Sequence, residues 1–412
     1  MPLGHFSKTT KSVHHHLIND KEIVAEHAAL YLTQSLRSFA VSLVGIFLPI
    51  YIYINSADYL IFHQDKVLNG IIWGFAYFFL RSFGAVIFSS ILSKPIFSKI
   101  HMNRSIVISI FVQILEIYLW IQAASNMYLM LLAGLLAGLK VATYWIPYHT
   151  YFVKKFKGGK YGKNTGIRFL FEKSLAGLSP LIGGFVISRY GFDAAFVISM
   201  VLLIVSGIPI LLAIHENKHK EHDVENILKN FLFNKKYKKM TIAYLGEAMD
   251  AAIFSIGWPI LLYIGLASFV KIGTLTSVTT IISAITGLLV GRAMDKYGSK
   301  LVHGVGVFFN TILYIPRVFA TTALGLYAID IADRLNSPMY SLPNQALAYE
   351  KAKRSESSTD YMIYREFTIH IWISLISVSL IVVLTQVLVW RWIFLFAALG
   401  SSLTYLMDLD TN

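Results

Sequence analysis

GRAMDKYGSK spans residues 291–300, and the placement of this decapeptide decides the fold. Gly291 and Gly298 bracket the run, and Asp295, Lys296 and Lys300 supply its charge. Glycine permits both the close approach of a neighbouring helix and a turn with positive φ. An aspartate in such a turn suits the positive end of a helix. On either side lie apolar runs, 271–291 and 301–320, each about the twenty residues needed to cross roughly 30 Å of hydrocarbon. The decapeptide therefore reads as a tight charged turn between two membrane spans.

The rest of the chain has the same character. Its 412 residues are 56% hydrophobic and only 14% charged, with a mean hydropathy of +0.59, whereas soluble domains carry about a quarter charged residues. Twelve apolar segments recur, at 34–54, 69–92, 104–124, 127–151, 166–188, 193–214, 240–265, 271–291, 301–320, 322–346, 363–388 and 391–408. The fourth, fifth, tenth and eleventh carry interrupting charges. The expected fold is an all-α membrane protein of twelve transmembrane helices. The longest polar insert, 215–239, divides them into bundles at 34–214 and 240–408 after an N-terminal segment at 1–33. The insert reads as a solvated linker with a short amphipathic helix at the membrane surface.

Several function classes drop out. The absence of cysteine removes disulfides, thiolate metal sites and a cysteine nucleophile. The polar first 35 residues show no cleavable signal pattern. The run KKFKGGKYGKNTG (154–166) has glycine and lysine at the wrong spacing for a phosphate-binding loop. His14 to His16 stand in a polar tail without further ligands. No cofactor is expected, no metal site, and no nucleophile–base set for an enzyme.

The net charge of +13 is a matter of topology. The connections 93–104, 152–168, 215–239, 291–300 and 347–365 hold 23 Lys and Arg, whereas those on the other side hold only Lys66 and Arg189. The positive-inside rule then makes the first set and both termini cytoplasmic in a multi-pass, plasma-membrane protein. No nucleic-acid partner is needed to explain the basicity.

The two halves also repeat. YWIPYHTYFVKKF from Tyr144 lies over YSLPNQALAYEKA from Tyr340, matching Tyr144 to Tyr340 and Pro147 to Pro343. FLPIYI (47–52) lies over GWPILL (257–262), with Pro49 on Pro259. Two like-oriented six-helix repeats are a recurring transporter plan.

In that setting GRAMDKYGSK resembles the signature loop of the major facilitator superfamily. SPLIGGFVISRYGFDAAFVIS (179–199) is similar to the family's fifth-to-sixth helix passage, although its small residues also read simply as close helix packing. The first-half copy of the loop, PIFSKIHMNR (95–104), lacks the glycine and the aspartate. The resemblance implies two pseudo-symmetric six-helix bundles. Spans 1, 4, 7 and 10 would line a central cavity, spans 2, 5, 8 and 11 the interface, and the rest would face lipid. It also implies a latch between Asp295 and the start of the fifth span near Gly166 to Arg168.

Charges within apolar spans are costly and mark pathways or paired sites. Sorted by span, the candidates for substrate or coupling are Arg37 and Lys140 in the first half, and Glu247, Asp250, Asp330, Asp333 and Arg334 in the second. Arg37 and Glu247 are repeat mates of opposite sign and are expected to pair or jointly meet substrate. Asp330 and Arg334 share a helical face at i, i+4 and are expected to pair. Asp333 is then left over, roughly 16 Å into its span at 1.5 Å per residue. Burial penalises a charged carboxylate, so Asp333, Asp330, Asp250 or Glu247 is expected to carry a proton, and Asp333 is the first to test. Glu116, Arg81, Arg365 and Glu366 read as structural or interface partners, and Tyr144, Trp145, Tyr148, His149 and Trp258 as cavity walls. The expected function is secondary active transport of a small solute, proton- or cation-coupled, within the lipid bilayer. A transport-inactive sensor or scaffold and a membrane-embedded lipid enzyme are the alternatives.

Overall fold

The computed structural model describes residues 28–60, 62–99, 102–155, 161–212, 224–386 and 389–410. Most of the 1–33 segment, the last two residues of the first bundle (213–214) and the linker residues 215–223 lie outside the described residues. Among the described residues every regular element is helical.

The spans are α1 (Ala28–Asp58), α2 (Lys66–Lys99), α3 (Met102–Ala123) and α4 (Tyr128–Lys155), then α5 (161–190) and α6 (192–212). The second half has α7 (Lys238–Leu266), α8 (Phe269–Tyr297), α9 (Ser299–Phe319), α10 (Ala323–Arg354), α11 (Ser358–Leu384) and α12 (Ile393–Leu403). Nine stretches of the described residues are apolar and long enough to cross a membrane. One of them, Thr165–Leu212, has 48 residues, about 72 Å if straight at 1.5 Å per residue, so it must pass twice. Gly191 breaks it with φ 84 and ψ 175. Ser179 and Ser199, on either side of the break, donate to the adjacent carbonyls of Phe39 and Ala40 in α1, which requires a hairpin. α10 is too polar and α12 too short to rank among the nine, and they complete the twelve.

Local sequence explains the breaks. α1 is interrupted at 46–47, just before Pro49, where proline lacks an N–H and crowds the preceding turn. α5 opens at Gly177–Leu178 between Ala176 and Ser179. Gly298 joins α8 to α9 at φ 87, the positive-φ turn expected of the signature loop. Repeat mates Pro147 and Pro343 both lie inside their helices.

Each half pairs its helices alike. α2 packs on α4 and α3 on α4 and α6; α8 packs on α10 and α9 on α10 and α12. The halves join through α2 with α11 and α5 with α8, the interface the resemblance implies. Glycines make this approach possible. A Cβ on Gly183 would sit 1.9 Å from the Leu43 carbonyl oxygen, and one on Gly184 2.3 Å from that of Phe269. We expect Gly183→Val to cost about 1–3 kcal/mol by overpacking, read as a lower melting temperature of the purified protein. A change within error would show that α1 and α5 separate readily. In the linker, the helix Val224–Phe231 buries Ile227 and Phe231. Phe231 stacks on Tyr364 at 5.2 Å, so its apolar face meets α11 rather than lipid.

Candidate functional site

The first half encloses a cavity of about 230 Å³. α2 and α4 cross in backbone contact, since a Cβ on Gly138 would lie 2.5 Å from the Ala85 nitrogen and 2.6 Å from the Arg81 carbonyl oxygen. That crossing turns Arg81 and Lys140 onto one wall. Glu116 of α3 is the hub opposite. Lys140 donates to its Oε2 at 2.6 Å and the Tyr77 hydroxyl to its Oε1 at 2.7 Å. Gln113, Trp120 and Leu48 continue the lining, and Ser255 of α7 is the contribution of the second half. Arg37 stands behind Gln113, donating to its Oε1 at 2.9 Å and lying 3.8 Å over the Tyr144 ring. The cavity is therefore walled by α1 to α4, with α2 and α3 as important as α1 and α4.

The second half holds a separate buried network. Asp330 accepts from Trp258 Nε1 at 2.7 Å and from Thr279 Oγ1 at 2.8 Å. Asp333 pairs with Arg317 of α9. Arg317 is wholly buried, with the rings of Tyr314, Phe254 and Trp258 at 4.3, 5.1 and 5.1 Å. Asp250 accepts from the Tyr314 hydroxyl at 2.6 Å and from Asn310 Nδ2 at 3.1 Å. Arg334 lies 5.7 Å from the Phe254 ring.

Within the second half, Arg365 donates to Glu247 at 2.9 Å and to its neighbour Glu366. Polar contacts bridge the halves. His149 of α4 meets the Tyr349 hydroxyl at 2.7 Å and faces Glu366 at 3.8 Å. His370 meets Ser82 at 3.2 Å. At the other end Tyr53 faces Tyr263 and Phe47 faces Phe269, with centroids 6.1 and 6.2 Å apart. The halves thus touch at both ends of the bundle.

The sequence model of the Major Facilitator Superfamily matches residues 30–235. The chain belongs to the major facilitator superfamily. It is accordingly a multi-pass integral membrane protein and a membrane transporter for a small solute. The crystal structure of the human organic anion transporter MFSD10 (TETRAN) superposes with a TM-score of 0.68, at 9% identity, over 95% of this chain and 99% of that one. At that identity the likeness speaks for the fold. No curated protein sequence matches the chain significantly.

The family's signature loop keeps its geometry in part. Gly291 is buried against α5, where a Cβ on Gly166 would lie 3.3 Å from the Gly291 Cα. Asp295, Lys296 and Lys300 are exposed, and Lys296 lies 4.9 Å from the Tyr297 ring. The Arg168 side chain, expected partner of Asp295, lies outside the described residues, as do those of most of the first-half loop.

Three expected pairings change. Arg37 does not meet Glu247: Gln113 and Tyr144 hold the one, and Arg365 and Asn344 hold the other. Asp330 does not pair with Arg334, because its face of α10 turns to Trp258 and Thr279. Asp333 is not left over but ion-paired. The resemblance turns the third and ninth spans to lipid, yet Glu116, read as a structural partner and paired with Lys140, also lines the cavity, and Arg317 is buried. Arg317 is the residue the sequence reading missed. An aspartate without a partner in one span and a lone arginine in the next are both costly, and pairing them is the cheap resolution.

Proposed function

We propose that this superfamily member is a secondary active transporter that moves a small charged solute by alternating access, with proton coupling. The observation that carries the proposal is the charged cavity among α1 to α4, touched by α7 of the opposite half. It would open to either side as the contacts around His149 at one end and Tyr53 at the other alternate. Both termini and the basic loops would face the cytoplasm. MFSD10 is named an organic anion transporter, which supports a charged solute here.

The coupling carboxylate would be Asp330 or Asp250. Protonating either breaks no ion pair, because their partners are neutral donors. Protonating Asp333 would instead orphan Arg317. Asp333 therefore gives way to Asp330 as the carrier to test.

Counterflow in liposomes, with a panel of anionic, zwitterionic and cationic solutes, tests the reading. At least one charged solute is expected to exchange faster than in empty liposomes, and an imposed proton gradient is expected to drive its accumulation. Exchange with no response to the gradient would remove proton coupling. No exchange across the panel would favour a transport-inactive scaffold.

A further inference from the structure

The charges around the first-half cavity do not balance. Lys140 and Glu116 cancel each other at 2.6 Å. Arg37 is engaged behind Gln113 and Tyr144 and does not line the cavity. Arg81 lines it from the middle of α2, half-buried, and among the described residues its one close partner is the Phe78 ring at 5.1 Å. The facing carboxylate across the interface, Glu366, is taken by Arg365. A guanidinium at mid-span that makes no ion pair among the described residues is costly and by default marks a ligand pathway.

We propose that this cavity is a monoanion subsite, with Arg81 as the group that anchors the ligand. The proposal rests on the transporter reading and gives it a substrate class: a small amphipathic molecule bearing one carboxylate-type charge. Guanidinium presents a planar fork that matches a carboxylate through two parallel hydrogen bonds. One negative charge restores neutrality among Arg81, Lys140 and Glu116. A second would be repelled by Glu116, and a cation would face Arg81. Beside the anchor stand Phe78, Trp120, Ile117 and Leu48, a wall for an aromatic ring or branched chain. The volume of about 230 Å³ falls below the roughly 300–1,000 Å³ of sites for drug-sized ligands, which limits the ligand to about one ring. Ser255 brings the second half into contact with the same ligand.

The test compares benzoate, benzamide and benzamidinium on the purified full chain. They share one ring and a similar size and differ in charge. A ligand that binds the folded state raises its apparent melting temperature. Benzoate is expected to stabilise with an apparent affinity about tenfold tighter than benzamide, a difference of about 1.4 kcal/mol, and benzamidinium not to stabilise. Arg81→Gln is expected to bring benzoate down to the benzamide level, and Arg81→Lys to fall between the two, because it keeps the charge and loses the bidentate fork. If Arg81→Gln does not fold, the wild-type series decides alone. Equal stabilisation by benzamide, preference for benzamidinium, or no stabilisation by benzoate would each overturn the subsite. Counterflow separates this from the broader reading. Exchange of neutral or cationic solutes without preference for anions would sink the subsite and keep the transporter. Benzoate binding with no exchange of any solute would keep the subsite and sink the transporter.

Discussion

Arg317→Met should lower the stability of the protein by about 3–5 kcal/mol, the cost of leaving one member of a buried ion pair without the other. Asp333→Asn should do comparable damage from the opposite side. Arg317 has no exposed surface, and aromatic rings occupy the space around its guanidinium. Water therefore has no room to replace the lost carboxylate. The double change Arg317→Met with Asp333→Leu should recover most of the loss, because a buried pair exchanged whole for apolar side chains is often neutral or better. Thermal and denaturant unfolding in detergent would measure all three. A loss below about 1 kcal/mol in both single variants would show that the pair is solvated or loosely held. The double variant has a second use. If it folds but transports at a small fraction of the wild-type rate, the pair belongs to the conformational cycle as well as to the packing.

The fate of these residues shows what the sequence reveals and what it hides. Apolar run length and the Lys/Arg bias locate the spans because crossing a bilayer is a one-dimensional constraint along the chain. The turn at Gly298 and the close approaches at Gly183 and Gly184 were legible because only glycine meets such demands cheaply. Pro147 and Pro343 carried the repeat for a related reason: both are helix-interior prolines in equivalent spans. Side-chain partners were hidden because they depend on rotation about each helix axis. Repeat arithmetic placed Arg37 and Glu247 at matching heights, yet each turns toward its own half. The i, i+4 spacing put Asp330 and Arg334 on one face of α10, but Trp258 and Thr279 compete for the aspartate from α7 and α8. Sorting charges alone also passed over neutral partners such as Gln113, and it took the end of α9 for a lipid-facing segment when that end carries Arg317.

Asp330→Asn is expected to separate exchange from coupling. Asparagine is nearly isosteric, and the site can accommodate it. Trp258 Nε1 can still donate to the amide oxygen, and the Thr279 hydroxyl can turn to accept from the amide N–H, since a hydroxyl serves as donor or acceptor. Folding and counterflow should therefore stay near wild type. What asparagine cannot do is gain and lose a proton. With one proton carried per solute, a gradient of about two pH units sustains on the order of a hundredfold accumulation, and Asp330→Asn should reduce this toward equal concentrations on the two sides. Asp250→Asn, whose partners Tyr314 and Asn310 are also neutral, provides the comparison. If Asp330→Asn still accumulates solute and Asp250→Asn does not, the proton is carried one helix away, on α7. If both variants accumulate like wild type, neither of these carboxylates couples transport to the gradient. If Asp330→Asn loses exchange together with accumulation, the aspartate is needed for binding or for the conformational change itself. The contrast with Asp333→Asn is the sharper control: the same chemical change three residues along α10 removes the counter-ion of Arg317 and should cost the fold before it touches coupling.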